Sequence, residues 1–190
     1  MKAASQPSVQ DPTTTPSRRK PGTRRFLAVE LHRRSAEESD HRQVFKDLVT
    51  RVKDGPGPDL FDAIEAGVPT YMVEVIAGAT GEPVSEVMGM IGVSPTTYRR
   101  KHEANQPLPD AAGHRVMGYL RVVALLRKLL EESGDPQALK DFDLVSWVAR
   151  WIREPLAELG NKTPAEMLRN PEGQRAIEQV LERMRGGLPA

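Results

Sequence analysis

Residues 83–105, PVSEVMGMIGVSPTTYRRKHEAN, decide the fold of this chain. The first half carries apolar residues at the three- and four-residue spacing of a buried helical face, namely Val84, Val87, Met88 and Ile91. Gly92 then interrupts the pattern. Ser94 and Pro95 predict a new helix start, because a serine hydroxyl accepts from the free amides of a first turn and proline suits a position that needs no donor. The stretch therefore predicts a helix, a tight turn and a second helix.

The second helix begins with hydroxyl side chains and continues with cationic ones, which is the order of a recognition helix in a helix-turn-helix. In that motif the first residues of the second helix meet base edges, while longer basic side chains reach phosphates. The residues predicted to contact DNA are Ser94, Thr96, Thr97, Tyr98, Arg99, Arg100 and Lys101. The alternative is an ordinary surface hairpin of two helices, in which the basic run is a solvated face.

The composition excludes several classes of protein. The 190 residues contain no cysteine, which removes disulfides, thiol nucleophiles and cysteine-based metal sites. The longest apolar patch, 116–130, is interrupted and falls short of the roughly 20 residues of a membrane span, so no membrane association is expected. No apolar block follows the basic N-terminal residues, so a cytoplasmic protein is expected. The net charge is only +1, but residues 18–34 carry seven basic side chains against one acidic one.

Three parts are predicted along the chain. They are a first part over 1–58, a helix-turn-helix domain over 59–134 and a small helical C-terminal domain over 135–190. The first part comprises a basic tail, disordered at least over 1–25, then one amphipathic helix over 36–53 and a Gly-Pro-Gly-Pro hinge. The tail either adds salt-sensitive affinity for a DNA backbone or only aids solubility. The helix over 36–53 packs either on the next part of the chain or on a second copy of itself.

Helical periodicity continues through the rest of the sequence. Further helices are predicted over 59–66, 69–77, 83–90, 114–132, 141–153 and 173–185. No alternating strand pattern is present, so the fold is predicted to be all-α. The helix over 114–132 has two apolar stripes and needs two neighbours. One neighbour is the helix-turn-helix core, and the other is either a dimer partner or a further helix of an enclosed core.

The C-terminal third combines an aromatic helix with two strong helix starts. Trp147 and Trp151, the two tryptophans of the chain, lie one helical turn apart and form either an interface anchor or the core of a small domain. The run TPAE at 163–166 predicts a helix start with a threonine cap, a proline in the first position and a glutamate that closes a capping box. The run NPE at 170–172 repeats the cap and proline.

Residues 151–186, WIREPLAELGNKTPAEMLRNPEGQRAIEQVLERMRG, resemble the C-terminal toxin-binding region of the Xre/ParS/MbcA antitoxins, which partner RES-domain toxins. The shared pattern is a tryptophan-led helix, a proline, a Leu-Gly-Gly-Lys-Thr-Pro loop, a short helix and an amphipathic last helix. The resemblance extends over roughly 67–187, with departures at Tyr98 and His114, where the family has leucine and serine. Asn161 stands where the family has its second loop glycine, and because asparagine tolerates positive φ the loop is expected to keep its shape.

The resemblance implies a bacterial antitoxin with two activities. It would sequester a cognate RES-domain toxin, an NAD-consuming or ADP-ribosylating enzyme, by covering the NAD pocket, and it would repress its own operon by binding operator DNA. A homodimer within a hetero-oligomeric toxin–antitoxin complex is also implied, with no metal or cofactor. The residues that the resemblance marks as toxin-facing or loop-shaping are Trp147, Trp151, Leu159, Gly160, Lys162, Thr163, Pro164, Leu168, Glu172 and Arg185.

Two other classes of function compete with this interpretation. An enzyme finds little support, because the sequence has no glycine-rich phosphate loop, no HExxH run and no metal-ligand spacing among its four histidines. A free-standing transcriptional regulator with a partner- or ligand-binding C-terminal domain needs the same DNA-binding helices and is the alternative function. If the two activities reside in separate modules, Trp151→Ala should lose neutralisation and keep operator binding.

Overall fold

The computed structural model describes residues 38–133 and 142–185. Within these ranges the chain forms α-helices, one 3-10 turn and no β-strand, which confirms the all-α prediction for this part of the protein. The helices are α1 (Glu38–Asp54), α2 (Gly57–Glu65), α3 (Met72–Thr80), α4 (Val84–Ile91), α5 (Pro95–Glu103), α6 (Asp110–Ser133), α7 (Leu144–Trp151), α8 (Pro164–Met167) and α9 (Pro171–Arg185). The 3-10 turn, Ala157–Leu159, lies between α7 and α8. The predicted disordered tail lies outside the described residues.

Local sequence signals set most of the helix ends. α1 ends at Asp54, and α2 begins only three residues later with proline in its first turn, so the predicted Gly-Pro hinge is a sharp corner. Gly81 and Gly92 end α3 and α4 in the left-handed conformation, with φ of 74° and 67°. The helix, tight turn and second helix predicted over 83–105 are therefore present as α4, Gly92 to Ser94, and α5.

The largest departures from the predicted bounds are at α3, α6 and α7. α7 was expected over 141–153 but spans Leu144–Trp151, because the Asp143 side chain caps its first turn. α3 was expected over 69–77 but begins at Met72, because Pro69 forms an isolated bridge with Pro107 that holds the chain extended there. α3 also continues beyond Gly78 to the left-handed Gly81. α6 begins one turn earlier than predicted, at Asp110, since nothing interrupts the chain after Pro109.

The longest helix, α6, lies at the centre of the fold. It contacts α1, α2, α4 and α9, and both of its apolar stripes face these neighbours. Val116, Leu120 and Val122 are all 0% exposed. Within one chain this helix is therefore enclosed by its neighbours, and a dimer stays a prediction. α1 packs against α3 and α6, so the helix predicted over 36–53 packs on its own chain.

The buried side chains form one continuous core that runs from Val44 in α1 to Leu181 in α9. This core crosses both predicted boundaries, after residues 58 and 134. The division into parts with separate activities stays a prediction about surfaces, since the interior is shared. None of the described helices has the length and apolar character needed to cross a membrane.

Candidate functional site

The predicted recognition helix, α5, is held in place by its first residues. The Ser94 hydroxyl accepts from the Thr97 amide at 3.2 Å and donates to the Thr97 hydroxyl at 2.9 Å, while Pro95 occupies the first helical turn. This confirms the predicted cap. Val93, in the turn before the cap, is buried and fixes the turn to the core. The start of α5 is therefore rigidly placed, which suits a helix that must present side chains to a ligand.

The outer face of α5 is polar and cationic. No residue of this helix is buried. Thr96, Arg99 and Arg100 are exposed, and Lys101 is half-buried. No ion pair joins the three cationic side chains to a carboxylate of the described residues. Their charges are therefore available to an external anion such as a phosphate.

Tyr98 differs from the other residues predicted to contact DNA. Its ring packs against the core and stacks on His102, with ring centroids 5.5 Å apart. Its hydroxyl is buried, with no hydrogen-bond partner among the described residues. Burial, together with the nearby Glu74 carboxylate, raises the pKa of Tyr98. The His102 ring in turn lies 3.3 Å from the Thr70 hydroxyl, through Nδ1. The structure thus brings Tyr98 and His102 of α5 close to Glu74 of α3, with His102 Nε2 3.9 Å from the Glu74 carboxylate.

The two tryptophans of α7 form a stack that is half core and half surface. Their ring centroids are 5.7 Å apart with an interplanar angle of 13°. Trp151 is only 6% exposed and belongs to the core. Trp147 is partly exposed and also contacts the exposed ring of Phe142, with a centroid distance of 6.2 Å. Trp151 therefore fills the core, which is one of the two alternatives for this pair. Trp147 reaches the surface, as the other alternative requires.

The loop between α7 and α8 is closed on itself. Leu156 and Lys162 form an isolated bridge, with the Leu156 amide donating to the Lys162 carbonyl at 3.1 Å. Gly160 and Asn161 both adopt positive φ, 65° and 58°, so Asn161 has the left-handed backbone conformation that a glycine favours. Leu159 is buried beneath the loop. The Lys162 side chain consequently projects from a tightly fixed backbone.

The predicted capping box after this loop is also present. The Thr163 hydroxyl accepts from the Glu166 amide at 3.1 Å, and the Glu166 carboxylate accepts from the Thr163 amide at 2.9 Å. The Thr163 amide, and then its hydroxyl, lower the pKa of Glu166. The next predicted cap is present too, since Asn170 Oδ1 accepts from the Gly173 amide at 2.9 Å. These caps fix the directions of α8 and α9.

The residues marked as toxin-facing or loop-shaping separate into two groups. The buried group, Trp151, Leu159, Pro164 and Leu168, shapes the loop and the core from inside. The group that reaches the surface comprises Trp147, Gly160, Lys162, Thr163 and Glu172. Arg185 ends α9, and its side chain lies outside what the structure describes.

A groove that the sequence did not predict lies beside this surface. It is an apolar groove of about 190 Å³ and is lined by Leu126, Leu129, Leu130, Phe142, Trp147, Leu181 and Met184. Phe142 is 38% exposed and Met184 is 47% exposed. These seven residues form the apolar groove. They come from α6, the start of α7 and the end of α9. The sequence contains one sign of the groove, since the apolar stripe of α9 continues to Met184. In the structure, the last buried residue among the described residues of that helix is Leu181.

A polar clamp holds the start of α7 next to the apolar groove. Arg42 of α1 donates to Asp143 at 3.0 Å and to the Ser146 hydroxyl at 2.8 Å. The Ser146 hydroxyl donates to the Asp143 carboxylate at 2.7 Å. The hydrogen bond from Ser146, and then the Arg42 guanidinium, lower the pKa of Asp143 to about 2. The clamp fixes Asp143 and therefore its neighbour Phe142, whose ring forms one wall of the groove.

Comparison with known proteins assigns the class of this segment. Residues 142–187 match the family model of the antitoxin Xre/MbcA/ParS C-terminal toxin-binding domain. This match confirms the resemblance found in the sequence for the C-terminal segment. Among curated proteins the chain is similar to the Prs ADP-ribosylating antitoxin of Sphingobium sp. (strain YBL2), with 28% identity over 129 residues, or 68% of this chain and 79% of the relative.

The described residues contain no group of three or more His, Asp or Glu side chains placed to hold a metal ion.

Proposed function

We propose that this chain is an antitoxin that neutralises a cognate RES-domain toxin with the surface formed by α7, the loop after it and α9. The observation that carries the proposal is the family match over 142–187, because the apolar groove and the exposed loop both draw on that segment. Four of the groove residues lie inside it, namely Phe142, Trp147, Leu181 and Met184. The partner is an NAD-consuming or ADP-ribosylating enzyme, and the relative's printed name supports this class.

The surface suits a stable protein partner. Interfaces of this kind centre on a few large apolar side chains in a groove, with a polar rim around them. Here Phe142 and Met184 supply exposed apolar area beside the half-buried Trp147. Lys162 and Glu172 supply exposed charges on the same domain. We propose that this surface covers the toxin's NAD pocket, so that neutralisation is occlusion of the pocket.

The same chain is proposed to bind operator DNA through α5 and so to repress its own operon. Support comes from the exposed Thr96 at the start of the helix and from three cationic side chains without an intramolecular ion pair among the described residues. A homodimer would place two copies of α5 on a two-fold operator. We propose that the protein performs both activities in the cytoplasm.

Co-expression with the neighbouring gene tests the proposed function. The neighbour expressed alone should arrest growth, and the full chain should restore growth and co-purify with it. The double variant Phe142→Asp with Met184→Asp should fail to restore growth. The matched control is Phe61→Asp, since Phe61 is 63% exposed on α2 and lies outside the toxin-binding domain. A neighbour that is harmless and does not bind would contradict the antitoxin function and favour a free-standing regulator.

A further inference from the structure

The side chain of Arg115 joins two distant segments of the chain. From α6, its Nη1 donates to the Ile91 carbonyl at 2.8 Å and its Nε donates to the Arg169 carbonyl at 2.9 Å. Ile91 is the last residue of α4, directly before the turn that leads to the recognition helix. Arg169 lies between α8 and α9, within the toxin-binding domain. One guanidinium thus connects the helix-turn-helix to the domain that is proposed to hold the toxin.

Both ends of this connection are tightly built. A Cβ added at Gly92 would collide with Nη1 of Arg115, so the guanidinium fills the space that the missing side chain leaves. A Cβ added at Gly173 would collide with the Met167 carbonyl, so the first turn of α9 rests directly on the end of α8. The corner between α8 and α9 is therefore tightly packed within itself, and Arg115 contacts it through the Arg169 carbonyl.

The contact also satisfies a helix end. The last carbonyls of a helix have no partner within the helix, and a charged donor bonds them strongly. Ile91 is itself buried, so its carbonyl sits at the boundary between the core and the turn. If Arg115 leaves, the orientation of this turn and of the cap at Ser94 loses one of its restraints.

We propose that Arg115 is a positioning residue that couples toxin binding to operator binding. The inference rests on the proposed function. A toxin that contacts the α8–α9 corner restricts that corner, which keeps Arg115 on the Ile91 carbonyl and α5 in its binding orientation. Toxin occupancy then tightens operator binding, and by thermodynamic reciprocity the operator tightens toxin binding by the same factor.

Arg115→Lys is the informative variant. Lysine keeps the positive charge but lacks the rigid fork that reaches two carbonyls at once. Arg121→Lys is the matched control, because Arg121 lies on the same helix and is exposed. The measurement is the operator Kd of each chain, with and without saturating purified toxin, over a range of salt concentrations. Thermal unfolding of each variant checks that it is folded.

The expected results are specific. In the wild type and in Arg121→Lys, toxin should tighten operator binding about fivefold or more. In Arg115→Lys this factor should fall to about one, and the operator Kd without toxin should rise about tenfold. In Arg115→Gln, which removes the charge, the slope of log affinity against log salt should stay unchanged, because no phosphate contact is removed. A lower slope would mean that Arg115 contacts DNA itself and would overturn the positioning role.

A second measurement uses only the wild-type chain. Toxin binding should slow amide hydrogen exchange at residues 91–94, although these residues lie outside the toxin-binding domain. A coupling factor of one in the wild type, the same factor in Arg115→Lys, or unchanged exchange at 91–94 would each overturn the coupling while leaving the antitoxin function intact. A wild-type chain that bound neither toxin nor operator would overturn the proposed function as well.

Discussion

The predicted recognition helix α5 and the segment that matches the toxin-binding domain present their residues in different ways. α5 buries none of its residues; it contacts α4, and its His102 lies 3.9 Å from the Glu74 carboxylate of α3. The motif residues of the C-terminal segment are divided: Trp151, Leu159 and Leu168 are buried, whereas Lys162 and Glu172 are exposed. The predicted DNA-binding motif in α5 therefore consists mostly of side chains that reach the surface, whereas the C-terminal motif combines a buried framework with the exposed residues that it holds. The proposed contact surface, the apolar groove, lies partly outside the C-terminal motif.

The largest expected effect comes from the buried half of the tryptophan stack. Trp151→Ala should lower the free energy of unfolding by about 3–5 kcal/mol, because a fully packed tryptophan leaves a large cavity. Since the core is continuous, operator and toxin binding should fall together, which replaces the sequence-based expectation of a selective loss. Chemical denaturation measures the stability. A folded Trp151→Ala chain that lost only toxin binding would contradict a role of Trp151 in the shared core.

The exposed side of the same surface should behave differently. Phe142→Asp with Met184→Asp should weaken toxin affinity about 100-fold, because two charges replace the apolar walls of the groove. Stability and operator affinity should change little, since both side chains are substantially exposed. Calorimetric titration with purified toxin measures the loss, and Phe61→Asp is the control. Equal losses in the control would mean that the groove has no special role.

The exposed arginines of α5 can be tested for their predicted role in DNA binding. Arg99→Ala with Arg100→Ala should weaken operator binding at least tenfold and reduce the slope of log affinity against log salt by about 2. Toxin affinity in the absence of operator should be unchanged. Arg183→Ala, which removes an exposed charge on α9, provides the control for net charge. Unchanged operator binding in the double variant would support the solvated-face alternative.

A smaller effect is expected at the capping box. Thr163→Ala should cost about 1 kcal/mol of stability, since the hydroxyl no longer accepts from the Glu166 amide. Thr163→Ser keeps the hydroxyl and should cost much less. Thermal unfolding compares the two variants. Equal losses would show that the methyl group, and not the cap, stabilises the start of α8.

The smallest expected effect is a pH dependence at the clamp beside the groove. The pKa of Asp143 is lowered from 3.8 to about 2, so its contribution to stability is present above pH 4 and is lost as the pH falls toward 2. Asp143→Asn should flatten this part of the stability curve. Because the carboxylate is 44% exposed, the change is expected to be small. An unchanged acid limb in the variant would assign the dependence to other carboxylates.

Features set by neighbouring residues could be predicted from the sequence. The caps at Ser94, Thr163 and Asn170 and the left-handed Asn161 depend on contacts within a few residues, and all four are present. The all-α fold follows from periodicity in the same way.

Features assembled from distant segments could not be predicted. The apolar groove combines α6, α7 and α9, and the Arg115 contacts span 24 and 54 residues of sequence. Tyr98 packs against the core and lies near Glu74, which the recognition motif does not contain. Such contacts are determined by tertiary packing and leave no local pattern.

The most direct test of two separate surfaces on one core is native mass spectrometry of the wild-type chain mixed with purified toxin and operator DNA. We expect a ternary complex that contains all three components. In the same experiment, Phe142→Asp with Met184→Asp should give only the chain with DNA, and Arg99→Ala with Arg100→Ala only the chain with toxin. Mutually exclusive binding of toxin and DNA, or the loss of both partners from either folded variant, would contradict the presence of two separate surfaces on one core.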